Sequence, residues 1–111
     1  MNEVFLCNAD LIADPGSRGF SVEFDGEKIE GFIVQKDGLF YAYRNSCPHT
    51  SAPLDWVEHQ FLDLDGALIQ CAVHDARFTI ENGFCVAGPC SGDSLQPLSI
   101  VQKVSGIFLQ C

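Results

Sequence analysis

The chain has 111 residues, of which 47% are hydrophobic and 19% charged, and its formal net charge is -9. This length suits one domain, residues 1–111, that buries roughly two-thirds of its unfolded surface. The acidic balance disfavours nucleic acid and anionic membrane as partners and would steer the protein towards a basic patch on another protein. No stretch approaches the ~20 apolar residues that a membrane-spanning helix needs.

Short β-branched or aromatic runs alternate with turn dipeptides along the whole chain. These runs predict strands at residues 4–7, 19–24, 28–35, 39–44, 68–71, 78–80, 84–86, 98–104 and 107–111. The dipeptides between them are of the Asp-Gly, Asn-Gly and Ser-Gly kinds, which are a strong local signal for hairpins. A short turn is expected within 6–13 and one helical turn within 51–58. Because no amphipathic helix of three turns is found, the fold class is predicted to be all-β.

Two short Cys/His pairs lie on two of the predicted loops. Cys47 and His49 follow the strand that ends near Arg44, whereas Cys71 and His74 precede the strand that begins at Phe78. Each pair can direct a thiolate and an imidazole at one point, so the two loops together would supply four ligands. Zinc takes such a set as a tetrahedral structural site. A [2Fe–2S] cluster takes it with both His on one iron and both Cys on the other.

The order of these ligands favours the cluster. A zinc finger usually groups two Cys in one pair and two His in the other, commonly C-x₂₋₄-C and then H-x₃₋₅-H. Here each loop holds one Cys and one His, which lets each loop straddle the two irons. A zinc-stapled interaction module is the alternative from a different class, and a colourless protein containing one zinc would establish it.

The same segments resemble the Rieske [2Fe–2S] proteins. The family pattern is C-x-H, then C-x₂-H-G-x-x-F, then a Gly-Pro loop that covers the cluster. Residues 47–54, 71–78 and 88–89 are similar to its three parts. One departure is Asp75, which stands where the family usually has Gly. The resemblance implies a [2Fe–2S] cofactor held by Cys47, His49, Cys71 and His74.

The resemblance also implies the architecture and the activity. The expected fold is an antiparallel sandwich or partial barrel with a small cluster-binding subdomain at about residues 45–90. Since protein ligands would fill every metal position, no open site is left for metal-assisted catalysis. The expected function is a soluble ferredoxin that passes single electrons from a reductase to an oxygenase or similar partner. A Rieske small subunit of a larger reductase, such as a nitrite reductase, is the alternative within the family.

Two further expectations concern compartment and cysteines. The first residues lack the basic region and long apolar run of a secretory signal, which favours a cytoplasmic protein with reduced thiols. Cys85 and Cys90 are therefore expected to be buried thiols, although a bridge between them stays open.

Within the family, the resemblance places this chain among the low-potential members. High-potential members have a disulfide between the two loops, and its positions are Ala52 and Val73 here. They also have a Ser and a Tyr whose hydroxyls donate to cluster sulfurs, and these positions are Ala76 and Phe78. Hydrogen bonds to sulfur stabilise the more negative reduced cluster. Without them, the potential is expected near the ~-150 mV end of the span from ~-150 to ~+300 mV.

The ligand assignment predicts which histidine matters. His49→Ala or His74→Ala should abolish the normal visible spectrum and loosen the loops, because metal binding is coupled to local folding. His59→Ala is the matched control and should leave the spectrum unchanged, since His59 belongs to no Cys/His pair. Absorption spectra of the three purified variants decide the matter. Bleaching by His59→Ala but not by His74→Ala would overturn the assignment.

Overall fold

A computed structural model of the chain describes residues 3–24, 26–46, 61–63, 66–70, 76–88, 93–104 and 106–110. In this part the chain forms nine strands and one short 3₁₀ helix at Ala9–Leu11. The strands are β1 (Glu3–Cys7), β2 (Gly16–Phe24), β3 (Glu27–Lys36), β4 (Leu39–Arg44), β5 (Leu68–Gln70), β6 (Arg77–Thr79), β7 (Cys85–Ala87), β8 (Ile100–Lys103) and β9 (Gly106–Gln110). Each predicted run coincides with one of these strands, and the all-β prediction is confirmed.

The strands form three antiparallel sheets, ordered β1-β9-β8, β2-β3-β4 and β5-β6-β7. The predicted Asp-Gly turn between β3 and β4 forms, with φ angles of 55° at Asp37 and 80° at Gly38. Two successive positive φ values are what a two-residue hairpin turn requires. The short turn expected within 6–13 is the 3₁₀ helix. The helical turn expected within 51–58 lies outside the described residues.

The β2-β3-β4 sheet is the middle layer of the molecule. Phe32, Ile33 and Val34 follow one another on β3 and are all fully buried. Because successive side chains of a strand point to opposite faces, both faces of this sheet must be covered. Phe32 and Val34 pack with residues of β5, β6 and β7, whereas Ile33 packs with Cys7 and Ile107 of the first sheet.

The segment 93–98 joins the middle sheet to the β5-β6-β7 sheet through backbone hydrogen bonds. On one side, Cys85 N donates to Asp93 O at 2.9 Å and Leu95 N donates to Gly83 O at 2.7 Å. On the other side, Arg44 N donates to Gln96 O and Leu98 N donates to Ala42 O, both at 2.9 Å. One extended segment thus lies between the edges of two sheets and fixes their relative position.

Tyr43 makes a second connection between the same two sheets. Its hydroxyl donates a hydrogen bond of 2.6 Å to the carbonyl of Ile80, just after β6. Burial raises the pKa of Tyr43 to about 12, and the nearby Tyr41 and Glu81 act in the same direction. Gly83 packs against the Tyr43 ring, where a Cβ would lie 2.7 Å from Cε1. The β6–β7 turn therefore packs closely against the Tyr43 ring.

Tyr43→Phe should destabilise the protein by about 1–3 kcal/mol, because it leaves the buried Ile80 carbonyl without its donor. The pH dependence follows from the raised pKa. An unfolded tyrosine ionises near its ordinary value of 10, before the folded one does. The contribution of Tyr43 is therefore complete below pH ~10 and is lost as the pH rises through about 12.

The midpoint of urea unfolding tests this prediction. It is measured after a fixed incubation at pH 7 and at several pH values up to 11. The wild type should lose more stability than Tyr43→Phe between pH 10 and pH 11. Parallel losses in the two proteins would contradict the assignment of the alkaline sensitivity to Tyr43.

Candidate metal centre

The predicted ligands Cys47, His49, Cys71 and His74 lie outside the described residues, but the structure describes the residues that flank them. The first Cys/His pair follows β4 directly. At this end, Asn45 N donates to Glu30 O at 3.0 Å and Ser46 N donates to Arg44 O at 2.9 Å. The chain is thus fixed to the middle sheet up to the residue before Cys47. Residues 47–60 are called loop one, and residues 71–76 are called loop two.

Phe61 directly follows loop one and is fully buried. The Phe61 ring stacks on Phe32 of β3, with 4.3 Å between ring centroids and 8° between planes. Its N–H donates to Ser17 Oγ at 3.0 Å, and its carbonyl accepts from Gln70 N at 2.9 Å. Gln70 is the residue before Cys71. The residue after loop one is therefore hydrogen-bonded to the residue before loop two.

Loop two is a hairpin connection. β5 and β6 pair antiparallel, with Leu68 opposite Thr79 and Gln70 opposite Arg77. Cys71 and His74 belong by sequence to the connection between these two strands. Their placement lies outside the described residues, so a shared tip that carries both side chains stays a prediction.

The third predicted part of the family pattern begins beside loop two. β7 pairs with β6, so that Ala87 lies opposite Arg77. The next residue, Gly88, has a φ of 93°, and a Cβ there would lie 2.7 Å from Ala76 Cα. Only glycine suits this positive φ and this close approach of two backbones. The placement of Pro89 near the cluster lies outside the described residues and stays a prediction.

The donor set and its anchoring fit a [2Fe–2S] cluster. Two cysteines and two histidines are the donors that the mixed Cys/His cluster requires. The hydrogen bond between Phe61 and Gln70 joins the residue that follows the first ligand segment to the residue that precedes the second. Within the described ranges, no group of three or more His, Cys, Asp or Glu side chains could hold a metal. No described residues therefore form a competing metal site.

The remaining described cysteines differ from each other. Cys7 is a buried free thiol, as expected, and burial raises its pKa. Cys85 is also buried, but it is bonded in a disulfide whose second cysteine lies outside the described residues. The expectation of a buried thiol is wrong at Cys85. The separation of two cysteines in the sequence does not show where the folded backbone places their sulfur atoms. A disulfide forms only where that placement allows it.

Three antiparallel sheets border the two sequence segments that hold the predicted Cys/His ligands, and this donor set suits an iron–sulfur protein of the mixed Cys/His class. The comparisons with known proteins agree. The model of the Rieske [2Fe-2S] domain matches residues 2–104. The chain belongs to the Rieske [2Fe–2S] domain family. It carries a [2Fe–2S] cluster and transfers electrons, and it is a carrier rather than a catalyst.

Individual relatives match along most of their length. The chain is 27% identical over 109 residues to the 3-phenylpropionate/cinnamic acid dioxygenase ferredoxin subunit of Photorhabdus laumondii subsp. laumondii, covering 98% of this chain and 94% of that one. It is 27% identical over 95 residues to the biphenyl dioxygenase ferredoxin subunit of a Pseudomonas species, covering 85% and 80%. The ferredoxin of carbazole 1,9a-dioxygenase from Nocardioides aromaticivorans has the same fold, with a TM-score of 0.74, 23% identity, and coverage of 98% and 97%.

In the part of the chain that the structure describes, no helix has the length and apolar character needed to cross a membrane.

High-potential members of the family have hydroxyl donors at positions 76 and 78. Both positions are among the described residues, and both are fully buried. Ala76 ends loop two, and Phe78 lies on β6 opposite Ile69 and Cys85. Ala76→Ser with Phe78→Tyr should raise the reduction potential, because each new hydroxyl would donate to a cluster sulfur and stabilise the reduced state. Voltammetry at neutral pH measures the shift. Phe84→Tyr, an exposed position on β7, is the control and should leave the potential unchanged.

A wild-type midpoint above roughly +100 mV, in the upper half of the family span, would contradict the low-potential assignment. A well-folded double variant with an unchanged potential would contradict the hydrogen-bond account.

Proposed function

We propose that the protein is the ferredoxin component of a multicomponent oxygenase. It accepts one electron from a flavin- or nicotinamide-linked reductase and delivers it to a terminal oxygenase or a similar acceptor. The observation that carries this proposal is the family match over residues 2–104. It is supported by two relatives named as dioxygenase ferredoxin subunits, of which the chain covers 94% and 80%.

In this proposal, Cys47 and Cys71 bind one iron, and His49 and His74 bind the other. The backbone hydrogen bond from Gln70 to Phe61 supports the assignment, because it joins the residue after loop one to the residue before loop two. Each imidazole binds through one ring nitrogen. The second nitrogen faces the surface, as the family resemblance implies, and gives the electron a short exit to a docked partner.

The chain's organisation supports a carrier that works as one unit. The β5-β6-β7 sheet falls within the proposed cluster-binding subdomain, residues 45–90. Its core residues Ile69 and Phe78 pack into one cluster with Phe32 and Tyr43 of the middle sheet. This packing supports a single domain over residues 1–111 with the cluster-binding subdomain at about residues 45–90. We assign the protein to the cytoplasm on the free thiol of Cys7, whereas the disulfide at Cys85 is of a kind that is rare in that compartment.

The proposal predicts a specific cofactor content. Protein purified without air should be red-brown, with about two irons and two labile sulfides per chain. After reduction, its electron paramagnetic resonance signal should have the low average g value of a mixed His/Cys cluster. One zinc without sulfide would identify the zinc-stapled module instead. Stable co-purification with a large reductase subunit would identify the fixed-subunit alternative.

A further inference from the structure

β7 and the residue before it present two large apolar side chains to solvent. Phe84, just before the strand, is 48% exposed, and Val86 within it is 51% exposed, whereas Cys85 between them is buried. Single exposed apolar residues are ordinary on protein surfaces. Phe84 and Val86 alternate with the buried Cys85, so both side chains face the same side of the strand and form a small apolar patch. Residues 84, 86 and 87 are called the β7 patch below.

The β7 patch adjoins loop two through the backbone. Val86 lies at a register shift in the β6–β7 ladder, where Phe78 is opposite Cys85 but Arg77 is opposite Ala87. Such bulges turn a side chain outwards and are frequent beside functional sites. The strand then continues into Gly88, whose backbone touches Ala76 at the end of loop two. A protein seated on the β7 patch would therefore lie beside Ala76, which follows the segment that carries Cys71 and His74 in the sequence.

The backbone next to the patch is already paired, which limits how a partner can bind. Phe84 O accepts from Thr79 N at 2.9 Å, and Cys85 N donates to Asp93 O at 2.9 Å. Phe84 and Ser94 also form an isolated bridge. At Phe84 and Cys85, a partner therefore finds no free backbone edge to which it could add a strand. It must pack on the exposed side chains, as in the apolar centre of a protein–protein interface.

Charge selects the kind of partner. The patch is flanked by two exposed acidic residues, Glu81 in the β6–β7 turn and Asp93 beside Cys85. The whole chain carries a net charge of -9. A second copy of this chain would bring two acidic rims together, and like charges across an interface are unfavourable. A partner with an apolar centre and a basic rim would instead be attracted and oriented.

We propose that the β7 patch is the surface on which a redox partner with an apolar centre and a basic rim docks to exchange electrons with the cluster. This proposal rests on the electron-carrier function above. The step it serves is simple: one electron leaves the reduced cluster and reduces one acceptor, such as a ferric haem to a ferrous haem. No bond or proton needs to move.

The test compares two acceptors of different size. Cytochrome c, a small basic haem protein, is the docking acceptor, and tris(phenanthroline)cobalt(III) is a small cation that needs no docking surface. Stopped-flow absorption gives the second-order rate constant for oxidation of the reduced protein by each. The test variant is Phe84→Thr with Val86→Thr, which keeps residues that suit a strand. The control variant, Leu39→Thr with Val104→Thr, removes two other exposed apolar side chains.

The β7 variant should transfer electrons to cytochrome c at least about tenfold more slowly, a change that corresponds to about 1.4 kcal/mol. Its rate with the cobalt complex, its visible spectrum and its potential should match the wild type. The control variant should stay within about twofold of the wild type with both acceptors. Glu81→Gln with Asp93→Asn should weaken the salt dependence of the cytochrome c reaction, because the charges that steer the encounter are removed.

Equal rates of the β7 variant and the wild type with cytochrome c would overturn the proposal, as would equal slowing with both acceptors. A wild type that reduces the cobalt complex but not cytochrome c would also overturn it, while the carrier function would stand. A wild type that reduces neither acceptor would overturn the proposed function itself.

Discussion

The Phe61 ring lies parallel to the Phe32 ring at 4.3 Å, in the interior between the middle sheet and the β5-β6-β7 sheet. This contact fixes the point at which loop one rejoins the sheets. Phe61 then accepts the hydrogen bond from Gln70, so the position of loop two depends on the same residue. The stacked rings and this hydrogen bond therefore fix the two described residues that border loop one and loop two.

The middle sheet can hold that contact because its central strand is covered on both faces. Phe32 and Val34 face the β5-β6-β7 sheet, and Ile33 faces the first sheet. The segment 93–98 and the Tyr43 hydroxyl then connect the sheets at their edges. An electron carrier gains from such rigidity, since a cluster held in one geometry needs little rearrangement when its charge changes by one. The same rigidity keeps exposed groups such as Phe84 and Val86 in a fixed relation to the loops.

Much of this structure could be predicted from the sequence, because its signals are local. Alternating runs and Asp-Gly turns identified all nine strands, and two Cys/His pairs with a Gly-Pro segment identified the family. The contacts between distant segments could not be predicted. Nothing in the sequence near Phe61 indicates that it stacks on Phe32, 29 positions earlier. The disulfide at Cys85 was missed for the same reason, since pairing depends on where the backbone places two sulfurs. The roles of the four ligands stay predictions, as their residues lie outside the described part.

The exposed β7 residues show how stability and function separate in this fold. Cys85 lies in the interior, and its neighbours Phe84 and Val86 do not contribute fully buried surface. The backbone of Phe84 is held by Thr79, so its side chain is not needed to keep the turn. Exposed apolar side chains of this kind would be covered if another protein packed on them. The acidic side chains of Glu81 and Asp93 would oppose pairing of two copies at this surface, because like charges repel each other.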